Sequence, residues 1–180
     1  MDRRQKKTRS AIYSAFTDLL KEEAYSKITV QQIIDRADIG RTTFYSHFET
    51  KDDLLKSLCN DIFDHVFSKS LDKEKTHDFS CVKGTESQIT HILYHLQEHM
   101  GYLPGILRGE GGDIFMSYFK EKLTELFAPI QENVSSDIPS DYILNHMVSD
   151  FSETVRWWTR NTEYSPEEIS TFFLRTTPLP

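Results

Sequence analysis

The 180-residue chain has little thiol: Cys59 and Cys81 are its two cysteines, and no CxxC spacing relates them. Such a pair makes no disulfide framework, so both are expected as reduced thiols in a cytoplasmic protein. No stretch approaches the roughly 18 consecutive apolar residues that a membrane span requires. The basic start MDRRQKKTRS leads into IYSAFTDLLKEE and not into an uninterrupted apolar core, so no secretory signal is expected. Motifs of catalysis are missing as well: there is no Gly-rich phosphate loop, no GxSxG elbow and no HExxH pair. The carboxylates are spread along polar helix faces, where solvated charge is their ordinary state. No catalytic residue and no cofactor is expected, and the chain does not read as an enzyme. What is present is ordinary for a soluble globular protein, with 27 % charged and 38 % apolar residues. The length suits one domain, or a small domain joined to a larger one.

Basic charge is scarce overall, and its placement matters. The formal net charge is -7, yet residues 1–51 hold ten Lys+Arg against seven Asp+Glu. Residues 52–180 hold eleven against twenty-one, so the two parts carry +3 and -10. Such asymmetry suits a chain of which one part meets a polyanion and the other does not.

Strand periodicity is missing too; the apolar spacing is helical almost throughout. Ile12, Ala15, Phe16, Leu19 and Leu20 form the stripe of a first helix over residues 3–23. Thr29-Val-Gln-Gln32 is a capping box that opens a second helix, running to Ala37. A third, over residues 40–47, follows after a joint of two or three residues. Thr50-Lys-Asp-Asp53 caps a long helix that carries Leu54, Leu55, Leu58 and Ile62. Residues 72–86 read as a polar loop, and helical stripes resume at Ile89, Ile92, Leu93, Leu96 and Met100. Gly101, Pro104, Gly105, Gly109, Gly111 and Gly112 then make the richest cluster of helix breakers in the chain. A longer helix follows, which Pro129 is expected to kink or end. The next occupies residues 139–160, and Ser165-Pro-Glu-Glu168 starts the last. The expectation is an all-α fold of about nine helices.

The stretch IGRTTFYSHFETKDDLL, residues 39–55, concentrates hydrogen-bonding groups beside apolar residues. A joint as tight as Asp38-Ile39-Gly40 sets two short helices at a large angle, as a helix-turn-helix requires. Ile33, Ile34, Ala37, Ile39, Phe44 and Phe48 can then face Phe16 and Leu20. That leaves Arg41, Thr42, Thr43, Tyr45, Ser46 and His47 for the outer face and the ends. Arginine can grip a guanine edge with two donors, and threonine offers a hydroxyl and a methyl. Tyr45, His47, Lys51 and the arm of Arg3, Arg4, Lys6 and Lys7 suit phosphates.

The run ITVQQIIDRADIGRTTFYSHFETKDDLL resembles the DNA-binding segment of the TetR family of bacterial regulators. The features that match are Ile28-Thr29-Val30, Ile33-Ile34, Ala37, Ile39, Thr43, Phe44-Tyr45, His47-Phe48 and Lys51 with Leu54-Leu55. The resemblance implies that Thr29, Arg41, Thr42, Thr43, Tyr45, Ser46, His47 and Lys51 face DNA. It implies a DNA-binding domain over residues 1–50 and a sensing and dimerising domain over 51–180. Asp38 stands where the family usually has Gly, and Gly40 where it usually has Ser or Thr. Val155-Arg-Trp-Trp158, Ser165-Pro-Glu-Glu168, Ile169 and Phe172-Phe173 are similar to the closing helices of a Gram-positive subgroup.

In that family the last two helices pair with their twins across a two-fold axis. The dimer interface is accordingly expected at Val155, Trp158, Ile169, Phe172 and Phe173. The family behaviour further implies a repressor released from a palindromic operator by a small hydrophobic effector, with a protein coactivator as the alternative. Tyr94, Met100, Phe115, Phe119 and Phe151 are expected to line the effector pocket, gated by residues 101–112. His91, His95 and His99 recur every four residues, as metal-binding histidines on a helix do. Their register against the apolar stripe turns them towards water, so no metal is expected.

Overall fold

The computed structural model describes residues 3–67, 85–131 and 137–177. The elements are α1 (Arg3–Glu22), a 3-10 turn (Tyr25–Lys27), α2 (Val30–Ala37), α3 (Arg41–Tyr45), α4 (Lys51–Val66), α5 (Thr85–Glu98), α6 (Leu103–Leu107), α7 (Glu110–Gln131), α8 (Ser140–Trp158) and α9 (Pro166–Thr176). The described residues contain nine α-helices and no strand, as the periodicity predicts. None of these helices is long and apolar enough to cross a membrane. Residues 72–84 of the expected polar loop, Cys81 among them, lie outside the described residues, while Thr85 and Glu86 already open α5.

Helix starts follow their caps. The Thr29 hydroxyl accepts from the Gln32 amide at 3.2 Å while the Gln32 carboxamide accepts from the Thr29 amide at 2.7 Å. Thr50 and Asp53 exchange the same pair of bonds at the start of α4, at 3.1 and 3.0 Å. Ser165 and Glu168 do so at α9, where Pro166 takes the first helical position.

The chain divides into two compact units. The first comprises Met1–Asp61 and Met100–Phe115. Here Ile12, Phe16, Leu20, Ile33, Phe44, Leu54 and Leu55 form the core, and α1 packs on α2 and on α6. Each buried large apolar side chain stabilises the fold by about 1.5–3 kcal/mol relative to exposure. The glycine-rich stretch separates α5, α6 and α7 and also holds one of these helices itself. Its residues 103–107 are helical, and Gly111 and Gly112 lie in the first turn of α7. Gly105 is there for closeness: a Cβ would fall 2.0 Å from the Leu20 carbonyl oxygen. Gly109, at φ 87°, takes the left-handed turn between α6 and α7.

The second unit comprises Ile62–His99 and Met116–Pro180. Helices α5 and α8 both pack on α9. Its core is aromatic: Phe63 stacks on Phe119 at 5.4 Å, Phe119 lies 6.1 Å from Phe151, and Phe151 meets Phe173 edge-on at 5.0 Å. Pro129 does not end α7, which continues to Gln131.

Candidate nucleic-acid interface

The geometry of α2 and α3 rests on three backbone positions. Asp38 closes α2 in the left-handed conformation, at φ 51° and ψ 51°, with its amide donating to the Asp35 carbonyl at 3.3 Å. Few side chains other than glycine take that conformation, and Asp is one of them. The Ile39 amide returns to the Ile34 carbonyl at 3.3 Å. Gly40 then caps α3 in the extended conformation, at φ -76° and ψ 150°, without a side-chain bond. Glycine is therefore not required there by conformation.

Phe44 is the anchor of α3. It is fully buried and lies 6.1 Å from Phe48, which in turn lies 6.0 Å from Tyr13. Burying Phe44 turns the rest of the short helix outward. Arg41, Thr42, Tyr45 and Ser46 are exposed, and Thr43 and His47 are half-buried. The Arg41 guanidinium lies 6.0 Å from the Tyr45 ring, so the two side chains share one ridge. Ser46 donates to the Thr43 carbonyl at 2.7 Å. Arg3, Arg4, Lys6 and Lys7 are exposed on the first turns of α1.

Two of the expected DNA-facing residues have internal tasks. The Thr29 hydroxyl, besides accepting from the Gln32 amide, donates to the Gln32 carboxamide at 2.7 Å. Lys51 Nζ donates to the carbonyls of Tyr25 and Ile28 at 2.9 and 2.8 Å and sits 4.2 Å from the Tyr25 ring centroid. Partial burial moves its pKa down, against a smaller opposing pull from Asp52.

The sequence reading missed the braces behind this surface. Arg9 donates to Tyr13 Oη at 2.6 Å and to Ser57 Oγ at 2.7 Å, and reaches Asp61 at 3.5 Å, tying α1 to α4. Arg36 grips the Glu22 carboxylate with two bonds of 2.9 Å, tying α2 to α1. Tyr25 donates to Asp52, and burial pushes its phenol well above the usual value. The Arg9 and Tyr13 pair at i, i+4 was a legible hint, whereas bonds between distant segments leave none.

In the second unit the expected interface residues separate by burial. Val155, Trp158, Ile169 and Phe173 are inside the chain's own core, and Trp158 donates its indole N–H to the Tyr164 carbonyl at 2.9 Å. Phe172 is 41 % exposed, and so is Trp157, at 45 %. They flank Tyr164 in an aromatic row with ring distances of 5.4 Å each. An open cleft of about 460 Å³ between α8 and α9 is lined by Asp150, Glu153, Trp157, Phe172 and Phe173 among others.

The expected pocket residues divide between the two units. Phe119 and Phe151 are fully buried against each other in the second unit. Tyr94, half-buried, donates its hydroxyl to Glu167 of α9 instead. Phe115 and Met100 belong to the first unit. The histidines correct their expected register. His91 and His95 are 5 % and 4 % exposed, on a helix that packs against α9.

Comparison with known proteins accords with this architecture. Residues 12–58 match the family model of bacterial regulatory proteins of the tetR family. Residues 84–178 match a model described as a transcriptional regulator C-terminal region. A crystal structure of a TetR transcriptional regulator from Streptococcus agalactiae is 34 % identical, with a TM-score of 0.79, and the match covers 98 % of this chain and 96 % of that one. The HTH-type regulator YxbF of Bacillus subtilis is 39 % identical over 71 residues, which are 37 % of this chain and 19 % of that protein. The dhaKLM operon transcriptional activator DhaS of Lactococcus lactis is 33 % identical over 92 residues, 51 % of this chain and 44 % of DhaS. The matched stretch thus spans less than half of either curated relative. With both its helix-turn-helix and its C-terminal region matched, the chain belongs to the TetR family of DNA-binding transcriptional regulators.

Proposed function

We propose that the chain works as a two-fold dimer, in which two copies of α3 enter successive major grooves of a near-palindromic operator. Half-sites would then lie roughly 34–36 Å apart. The observation that carries this reading is the orientation of α3: Phe44 is buried while Arg41, Thr42, Tyr45 and Ser46 project outward. Arg41 reads a base edge; Thr42 and Thr43 contact bases or sugars; Tyr45, Ser46, His47 and the arm of α1 hold phosphates. Lys51 and Thr29 support this face from behind. Residues 1–50 read DNA in this account, and 51–180 sense and dimerise. Trp157 and Phe172, with the cleft between α8 and α9, meet the same face of a second copy.

Repression relieved by a small apolar effector is the reading we favour, with the Phe119 and Phe151 cluster opening to admit it. The effector can release DNA only by binding a second conformation better than the first. The kinship with DhaS, named as an operon activator, supports a second reading in which the chain activates with a protein coactivator.

Selection of bound duplexes from a random pool tests the proposal, and two-fold symmetric half-sites are the expected product. On the selected operator, Arg41→Ala should cost about 1–3 kcal/mol of binding and relax specificity at one position. Equal losses on operator and random DNA would remove Arg41 from base reading.

A further inference from the structure

We propose that Arg9 and Tyr13 of α1 are positioning residues for DNA recognition, holding with Ser57 of α4 the aromatic pair on which α3 stands. The inference rests on the operator reading above and adds what orients α3 within it. Helix α3 has little of its own to fix its tilt. It is five residues long, and Gly40 caps it without a side-chain bond. Its last turn runs on into Phe48, whose amide donates to the Phe44 carbonyl at 3.0 Å. Phe48 is buried, 6.1 Å from Phe44 and 6.0 Å from Tyr13. The Arg9 guanidinium covers two of these rings, 5.2 Å from the centroid of Tyr13 and 5.9 Å from that of Phe48. Where Tyr13 and Arg9 are held therefore sets the orientation of Phe48, and with it the end of α3.

What holds them is a closed triangle of hydrogen bonds. Arg9 Nη2 donates to Tyr13 Oη at 2.6 Å and to Ser57 Oγ at 2.7 Å. Tyr13 Oη donates to the same Ser57 Oγ at 2.9 Å, and Arg9 Nε adds a bond to Tyr13 Oη at 3.1 Å. Each member fixes the other two, so the phenol cannot turn without breaking the set. All three side chains are half-buried, where such bonds compete less with water. Asp61, one turn beyond Ser57 on α4, is exposed and meets Arg9 only at 3.5 Å, so it adds little. Removing either hydroxyl loosens Phe48 and lets α3 tilt, which misplaces Arg41, Thr42 and Tyr45 on its outer face. A phosphate contact by Arg9 itself would be a different role, because its charge would then count in the salt dependence of binding.

The test uses Tyr13→Phe, Ser57→Ala, the two combined, and Arg9→Met, each in the full chain and under conditions where urea unfolding shows it folded. In the protein free of DNA, each variant should shift the backbone amide resonances of Arg41 and Thr42, at the far end of α3. Binding to the selected operator should weaken at least about threefold in each. The combined variant should bind no worse than the weaker single one, because both changes break the same triangle. Arg9→Met should lower affinity at an unchanged salt slope. A slope reduced by about one would make Arg9 a phosphate contact and overturn its positioning role. Unmoved resonances, wild-type affinity in the folded hydroxyl variants, or additive losses would each reject the triangle. Should Arg9→Met fail to fold, the two hydroxyl variants, each lacking a single oxygen, carry the test. A wild type that binds no duplex would sink the operator reading instead, and the resonances would still decide whether the triangle orients α3.

Discussion

The ammonium of Lys51 lies where a phosphate contact was expected from sequence, yet it holds the carbonyls of Tyr25 and Ile28. Those carbonyls stand at the two ends of the turn that leads into α2, so Lys51 fixes where the helix-turn-helix begins relative to α4. Hydrogen bonds to a charged group are worth about 1.5–3 kcal/mol, and partial exposure places this pair towards the lower end. Lys51→Met, which keeps the stem and removes the charge, should lower stability by about 1–2 kcal/mol in urea unfolding. A wild-type midpoint would mean that the bonds contribute nothing net. The same variant should weaken DNA binding through a displaced α3, to a similar extent on every sequence.

At the scale of elements, α3 and α6 are too short to persist alone, since isolated helices below about 12 residues are marginal in water. Each exists because a neighbour holds it. For α3 the holder is the aromatic group of Phe44, Phe48 and Tyr13. For α6 it is the backbone of α1, with which Gly105 is in direct contact. Gly105→Ala would drive a methyl into the Leu20 carbonyl, where backbone and not a flexible side chain must yield. A loss of at least about 3 kcal/mol, the upper range for overpacking, is expected in thermal unfolding. A Tm within a degree of wild type would show that α6 can lift off α1 without cost. The contrast with Gly40 is instructive: there the nearest atom to an added methyl would be Thr43 Oγ1 at 3.7 Å, so space does not demand glycine.

For the whole molecule, charge and exposed aromatic surface point to two kinds of partner. The part before residue 52 carries +3 and the remainder -10, so attraction to DNA is confined to one end of the sequence. Binding should therefore fall steeply with salt, as phosphate contacts release counterions. Trp157 and Phe172 belong to an exposed aromatic row that a lone chain leaves in water. In the dimer proposed above, Trp157→Glu together with Phe172→Glu should raise the dissociation constant at least about tenfold, or ~1.4 kcal/mol. Sedimentation of the two forms at matched concentrations reads this directly. An undiminished dimer would move the interface off α8 and α9.

What the amino-acid order determined by itself was local: helix periodicity, the capping boxes at Thr29 and Ser165, the tolerance of Asp38 for a left-handed turn, and the polar set around Arg41. These signals lie within a turn or two of one another, so one segment contains all the information. Tertiary packing alone decided the rest. It fitted the short helix α6 within the glycine cluster, with Gly105 where the space beside Leu20 excludes a side chain. It buried His91 and His95, and it divided the C-terminal aromatics into inward Trp158 and Phe173 and outward Trp157 and Phe172. It also bound Lys51 to carbonyls more than twenty residues away. Each of these depends on a partner that is remote along the chain, and no periodicity encodes which remote segment will arrive.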